Sequence, residues 1–332
     1  MLVIKACMNI VEFAKIAQLS TATISRAFHE PEKIRPETRQ RVLALAEKLG
    51  YYPSASGRAL VKGRHDVLGL VWPLEVEGAG ALFAQRVLAA LTHHLVSNDL
   101  DLLICPVDRH RPATLEHARH TVLRSRCDAW ILLYPRPNDL IVQSLRAGRK
   151  PVICLMGGLA ECPEWKSVAL DQRAWMDDAL GRLRRQGARR VLFLGCRGEE
   201  PDHKERLAAF TELAPRHFGK NFLSAPVWPL DDAQVAALLV REKADAVIGV
   251  DDSAALTALR ASQQAGIAVP EKVQIIGIDA SVEAARATPS LATYRQPLDE
   301  MTGCAVNLAL GLRSRSRKFE ASFVPGGSVL QS

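Results

Sequence analysis

Two sets of side chains in this 332-residue chain carry recognition chemistry. The first is Ser20-Thr21-Ala22-Thr23-Ile24-Ser25-Arg26, where hydroxyls and one guanidinium recur at helical spacing among small neighbours. Groups of this kind fit a DNA major groove: an arginine can bond guanine O6 and N7 together, and hydroxyls reach base edges or phosphates. The second set is dispersed, with Asp171, Arg206, Asp251 and Asp279 as polar groups and Phe83 as an apolar or stacking wall. Asp251 and Asp279 each follow an apolar run, the place where an open α/β sheet offers ligand contacts. Carboxylates and a guanidinium around a ring suit a polyhydroxylated or heteroaromatic small molecule. Two alternatives stay open at this point: Asp251 precedes a helix and could be its N-cap, and Arg206 could sit on an exposed helix face.

Catalytic patterns are missing. The chain holds no G-x-x-x-x-G-K-[ST], no G-x-S-x-G, and no G-x-G-x-x-G after a strand, so no catalytic residue and no cofactor is expected. His117 and His120 stand three apart near Cys105, His110 and Cys127, but such spacing arises by chance. Solvated histidines are the expectation, not a metal site.

The elements around the first set are short helices. Val11–Ala17 reads as an amphipathic helix, Ser20 suits the N-cap of a second helix over Thr21–Phe28, and Pro36 opens a third. In that third helix Val42, Leu45, Ala46 and Leu49 share a face, and Gly50 supplies a left-handed stop. A bracing helix followed by a second that presents small residues and one arginine is a helix-turn-helix. Residues 1–64 hold 11 basic and 5 acidic side chains, nearly all of the formal excess of +7 in the whole chain. A polyanion partner draws affinity from that concentration of charge through counterion release.

From Asp66 onward, apolar runs alternate with helical stretches. Strands are expected at Val67–Val71, Leu102–Cys105, Ala129–Leu133 and Val152–Leu155, and again at Val191–Leu194, Ala246–Val250 and Val273–Ile278. Continuous apolar strands between helices indicate parallel sheets covered on both faces, here as two doubly wound lobes. Hydrophobic content of 48% and charged content of 24% are ordinary for a globular chain. No apolar run approaches the length of a membrane span. The start lacks a secretory pattern, with Met8 an alternative to Met1, and a cytoplasmic protein is expected. Seven widely spaced cysteines without a C-x-x-C suit reduced, buried thiols.

The same residues resemble a known family. Val11…Ala17, Leu19-Ser20, Thr23-Ile24-Ser25-Arg26, Pro36-Glu37-Thr38-Arg39, Leu49-Gly50-Tyr51, Pro53 and Ala59-Leu60 are similar to the head of the lactose-repressor and galactose-repressor (LacI-type) family of bacterial regulators. Val168-Ala169-Leu170-Asp171-Gln172 resembles its V-x-x-D-N, Gly187–Val191 its L-G-H-R-R-I, and Arg206–Phe210 its R-x-x-G-F. Asp251-Asp252-Ser253, Ile276-Gly277-Ile278-Asp279 and Pro289–Pro297 resemble (N/S)-D-x, V-G-F-D and P-x-L-T-T-V-R-Q-P.

The resemblance implies a helix-turn-helix head over 8–52, a hinge helix or linker over 53–64, and a two-lobed periplasmic-binding-protein-like domain over 65–332. In that domain the first lobe takes about 65–165 and 295–325 and the second about 166–290. It implies a homodimeric transcriptional regulator, most simply a repressor, on a near-palindromic operator. Control would come from a sugar or sugar derivative, or else a purine or other metabolite, bound between the lobes at Phe83, Asp171, Arg206, Asp251 and Asp279. Ser54, Arg58 and Leu60 would join the head's DNA contacts, with Leu60 wedged into the minor groove. Departures are visible: Gln18 stands where the family has Gly, Arg35 where a capping Ser is common, and Trp175 replaces a Gly.

Overall fold

A computed structural model describes residues 8–52, 63–74, 79–195, 201–225, 231–313 and 315–330, and the chain divides into two compact units after Asp66. Among its described residues the first unit contains three α-helices, α1 (Ile10–Ala17), α2 (Thr21–His29) and α3 (Pro36–Leu49). Their apolar faces meet in a small core of Phe13, Ala14, Ala17, Ile24, Ala27, Val42, Ala46 and Tyr51. Phe13 and Tyr51 stack with ring centroids 4.1 Å apart, a contact that ties the end of α3 back onto α1. Leu49, expected on the buried face of α3, is 37% exposed, and Tyr51 rather than Leu49 joins this core.

Local chemistry sets the helix ends. Asn9 opens α1 with a capping box: its Oδ1 accepts from the Val11 and Glu12 amides at 3.0 Å, and Glu12 Oε2 accepts from the Asn9 amide. Gln18 closes α1 at φ 54°, left-handed backbone in which glycine carries no penalty. Arg35 precedes Pro36 without a side-chain cap, and Gly50 ends α3 at φ 63°. The expected hinge residues Ser54, Arg58 and Leu60 lie outside the described residues.

The second unit is two six-stranded sheets, each covered by helices. The first sheet contains β1 (Val67–Pro73), β2 (Asp101–Val107), β3 (Ala129–Leu133), β4 (Val152–Leu155), β5 (Lys166–Leu170) and β11 (Arg317–Phe319). Their order is β11-β5-β4-β3-β1-β2, all parallel. The second contains β6 (Val191–Leu194), β7 (Phe222–Ala225), β8 (Ala246–Gly249), β9 (Gln274–Ile278), β10 (Ala292–Arg295) and β12 (Ser322–Val324). Its order is β12-β10-β9-β8-β6-β7, parallel except at β12, which is antiparallel to β10.

Alternate residues along each strand face opposite layers. In β3, Ile131 and Leu133 pack under α4 (Ala79–Ser97), whereas Trp130 and Leu132 join the core beneath α5 (Pro112–Arg124) and α6 (Leu140–Ala147). In β6, Val191 and Phe193 pack against α7 (Gln172–Arg185) and α8 (Pro201–Phe218), while Leu192 and Leu194 pack against α9 (Asp232–Glu242) and α10 (Asp252–Gln264). Strands buried on both faces explain why the sequence reads as continuous apolar runs rather than an alternation.

Two lobe boundaries differ from expectation. Lys166–Leu170 pairs with β4, so the first lobe extends through residue 170 rather than ending near 165. Ala292–Arg295 and Ser322–Val324 belong to the second sheet, which takes both ends of the 295–325 segment expected in the first lobe. The chain crosses between lobes at Asp171, at Gln296–Pro297 ahead of α11 (Leu298–Ala309), and at Glu320–Ala321. The strands β5, β7, β10, β11 and β12 escaped the sequence reading because polar residues such as Lys166, Ser224, Thr293, Lys318 and Ser322 interrupt their apolar runs.

Candidate functional site

In the head, α2 presents Thr21, Ala22 and Arg26 to solvent and buries Ile24 and Ala27. The exposed face is therefore small, polar and singly charged. Ser20 caps the helix, its Oγ accepting from the Thr23 amide at 3.0 Å and lying 2.8 Å from Thr23 Oγ1. Two of the candidate DNA-contacting hydroxyls, Ser20 and Thr23, are thus engaged with each other. Ser25 is half-buried beside Arg26.

The second candidate region lies where the strands of both sheets end and the chain crosses between lobes. Arg206, on α8, is 2% exposed, which removes the alternative of an exposed helix face. Its Nη1 donates to the Val250 carbonyl at 2.7 Å, its Nε to Gln172 Oε1 at 3.3 Å, and its Nη2 stands 3.2 Å from Asp202 Oδ2. Burial works against the charge; Asp202 first, then Asp279 and Asp251, outweigh it and hold the guanidinium pKa above its usual value. Gln172 Oε1 also accepts from Trp175 Nε1 at 2.7 Å. The indole of Trp175, itself buried, is held in the second lobe's core by the amide that orients Arg206.

Asp279 follows β9 with φ 116°, a region where a non-glycine residue costs on the order of 1–3 kcal/mol. Three hydrogen bonds hold it there. Its amide donates to the Tyr294 carbonyl at 2.8 Å, its Oδ1 accepts from Gln296 Nε2 at 2.7 Å, and its carbonyl accepts from Arg86 Nη1 at 2.7 Å. Burial, against the pull of Arg206 and reinforced by Asp252 and Asp251, raises its carboxyl pKa to about 7. Asp252 is raised to about 6 by burial, although the Ser281 amide and the Thr293 hydroxyl bond its carboxylate at 2.7 and 2.5 Å. A Cβ on Gly277 would stand 2.4 Å from Asp252 Oδ1, so this carboxylate requires a glycine in β9.

Asp171 and Asp251 are both N-caps. Asp171 Oδ1 accepts from the Arg173 and Ala174 amides at 3.1 Å, and Asp251 Oδ1 accepts from the Ala254 amide at 2.7 Å. Neither lines the two spaces beside Phe83 described next, although Asp251 acts electrostatically on Arg206 and Asp279. Phe83, on α4, stands between two spaces. One, of about 10 Å³, is shared with Gln172, Arg206 and Gln296 and has room for about one water. The other, of about 670 Å³, is shared with Arg86, Arg260 and Asp279. The two lobes are nearly closed on each other at the smaller space.

Sequence reasoning missed Gln172, Asp202, Gln296, Asp252 and Arg86. Asp202 stands four residues before Arg206 on one helix face, a spacing that was there to be read. Gln172 follows the quoted Asp171, and Gln296 lies inside the quoted Pro289–Pro297 segment.

A family profile described as bacterial regulatory proteins, lacI family, matches residues 9–54, and one described as a periplasmic binding protein-like domain matches residues 180–329. The chain carries a LacI-family head. Its head is a LacI-type DNA-binding domain and its second unit a periplasmic-binding-protein-like domain. The transcriptional regulator AscG of Escherichia coli is similar at 28% identity over 88% of this chain and 88% of that protein. The lac repressor dimer bound to operator and the anti-inducer ONPF shares the fold at TM-score 0.80 and 18% identity, over 98% of this chain and 100% of that one. The regulator CelR in complex with cellobiose shares it at TM-score 0.66 and 22% identity, over 96% and 99%. The chain, with its LacI-family head, is therefore a DNA-binding transcriptional regulator.

Other sequence candidates fall elsewhere. His117 and His120 line an open groove of about 580 Å³ on the first lobe, with His120 Nε2 3.1 Å from Glu116 Oε1. Among the described residues no three His, Cys, Asp or Glu side chains are grouped to hold a metal ion. Cys105, Cys127, Cys154, Cys162 and Cys304 are buried free thiols, and Cys7 and Cys196 lie outside the described residues. No described helix is long and apolar enough to cross a membrane.

Proposed function

We propose that this chain is a cytoplasmic repressor of the LacI family that binds a near-palindromic operator as a homodimer and responds to a sugar or sugar derivative. The observation that carries the reading is the joining, in one chain, of a basic LacI-type head with a two-lobed domain that buries a guanidinium where the lobes meet. Ser20, Thr21, Ala22, Thr23, Ser25 and Arg26 form the head's reading edge, with Ser54, Arg58 and Leu60 as hinge contacts. Phe83, Asp171, Arg206, Asp251 and Asp279 bound the effector cleft, with Asp251 acting through its charge on Arg206 and Asp279.

The domain boundaries that go with this function are a head over 8–52, a linker over 53–64 and an effector domain from 65 onward. Carboxylates and a guanidinium beside a phenyl ring match hydroxyl-rich ligands, which accept and donate several charge-assisted bonds. The cellobiose held by CelR, of the same fold, is of that class. A ligand acts only through its differential affinity for two states, so the sugar must bind the closed lobes better than the open ones, or the reverse.

The test is a gel-shift titration of the full chain on the DNA flanking its own gene, with and without a panel of mono- and disaccharides. A footprint with two-fold symmetry, shifted by at least one sugar, is expected. Binding as a monomer to one unsymmetrical half-site would overturn the operator reading, and indifference to every sugar would overturn the effector class. Turnover of a sugar without specific DNA binding would replace the proposal with an enzyme.

A further inference from the structure

We infer that Arg86 is a positioning residue that clasps the two lobes and holds Asp279 in its ligand-facing conformation. Phe83 and Arg86 stand three apart on α4, one turn of the first lobe. Phe83 walls the cleft, and the Arg86 guanidinium lies 5.8 Å from the centre of its ring. From there Nη1 reaches across to the Asp279 carbonyl at 2.7 Å, so an element of the first lobe bonds the backbone of the second without a covalent crossing.

The bond falls on the one peptide where it matters most. Asp279, at φ 116°, and Ala280, at φ 47°, are consecutive non-glycine residues with positive φ. Such backbone persists only where its surroundings over-determine it. Of the three bonds that fix Asp279, those from Tyr294 and Gln296 come from β10 and the crossing that follows it, and both travel with the second lobe's edge. The Arg86 bond alone of these three is made by the opposite lobe, and it exists only when the lobes are close.

Opening the lobes removes a charged donor from the Asp279 carbonyl and leaves the residue free to relax toward ordinary φ. That relaxation turns the Asp279 carboxylate away from the Phe83 wall. Lobe closure and the geometry of a cleft carboxylate then form a single two-state element, which a ligand between the lobes can bias. The significance for effector response rests on the regulator reading above; the clasp itself does not.

Hydrogen exchange and small-angle scattering on the full-length protein, with no DNA and no sugar, test it. Arg86→Met keeps the length and apolar stem and removes the donors; Arg86→Lys keeps one charged donor. In Arg86→Met, amides of the Asp279–Gln296 and Leu82–Leu88 segments should exchange about tenfold faster, the scale of one charged hydrogen bond. The radius of gyration should rise, strands β3 and β6 should keep wild-type protection, and Arg86→Lys should recover most of the difference. Wild-type exchange in both segments of Arg86→Met overturns the clasp. A uniform rise that includes β3 and β6 also overturns it, since it marks a general stability role, as does an Arg86→Lys protein that behaves like Arg86→Met. Failure of the regulator reading would appear separately, in the gel shifts of the wild-type chain.

Discussion

At the residue scale, Arg206 and Asp279 have opposite relations to their surroundings. Arg206 is satisfied by the protein: Asp202, the Val250 carbonyl and Gln172 all bond it. Arg206→Met would take the guanidinium from the Asp202 carboxylate and the Val250 carbonyl, while Gln172 Oε1 keeps Trp175 Nε1 as donor, and should destabilise the second unit by about 3–5 kcal/mol. Urea unfolding of the full chain measures this, and a loss below about 1 kcal/mol would mean that water replaces the guanidinium. Asp279 is the reverse case, a carboxyl raised to about 7 by burial, against about 3.9 when unfolded. A raised folded pKa means that the native state favours the proton. The stability this group contributes is complete below about pH 4 and is lost as pH rises through about 7. Asp252, raised to about 6, acts in the same direction. Asp279→Asn should therefore raise the melting temperature at pH 8 and change it little at pH 4.5. Equal shifts at the two pH values would assign the effect to packing instead.

At the scale of elements, the recognition helix depends on its first and preceding turns. Ser20 Oγ caps α2 through the Thr23 amide, and Ser20→Ala should destabilise the head by about 1 kcal/mol. Gln18 holds left-handed backbone at φ 54°; Gln18→Gly should stabilise the head by about 0.5–1 kcal/mol, because glycine adopts that region without a Cβ clash. Hydrogen exchange of the α1–α3 amides in the full chain reads both changes, and opposite signs are expected. These ends were legible in the sequence. Ser20, Pro36 and Gly50 each announce a helix boundary through local chemistry, whereas the Asn9–Glu12 capping box was missed although its N-cap and N3 residues were in view. The strands β5, β7, β10, β11 and β12 were not legible, since a short segment broken by polar residues carries too little periodicity to separate from loop.

At the scale of the whole molecule, the excess of positive charge in residues 1–64 and the two-sheet domain do separate work. Arg26 is exposed on α2, and Arg26→Ala should weaken operator binding by about 1–3 kcal/mol. If the loss is confined to operators that keep one guanine, the contact is to a base; if it is equal on every variant and reduces the salt dependence, the contact is to phosphate. Competition gel shifts at two salt concentrations decide between them.

The sequence by itself determined the helix-turn-helix, the alternation of buried strands with helices and the LacI-type head, and it singled out Phe83 and Arg206, which share one small space. Each of these is written in neighbouring residues, as a period, a cap or an ordered motif, and needs no knowledge of what lies opposite. Only the tertiary structure decided that Asp171 and Asp251 spend an oxygen on helix caps, that Asp202 and Gln172 claim Arg206, and that Arg86 meets the Asp279 carbonyl 193 positions away. A lone polar residue carries no period, and its partner is chosen by where two sheets and three chain crossings place it. The lobe boundary at residue 170 was decided in the same way, because the pairing of β5 with β4 is a contact between strands and not a property of either one.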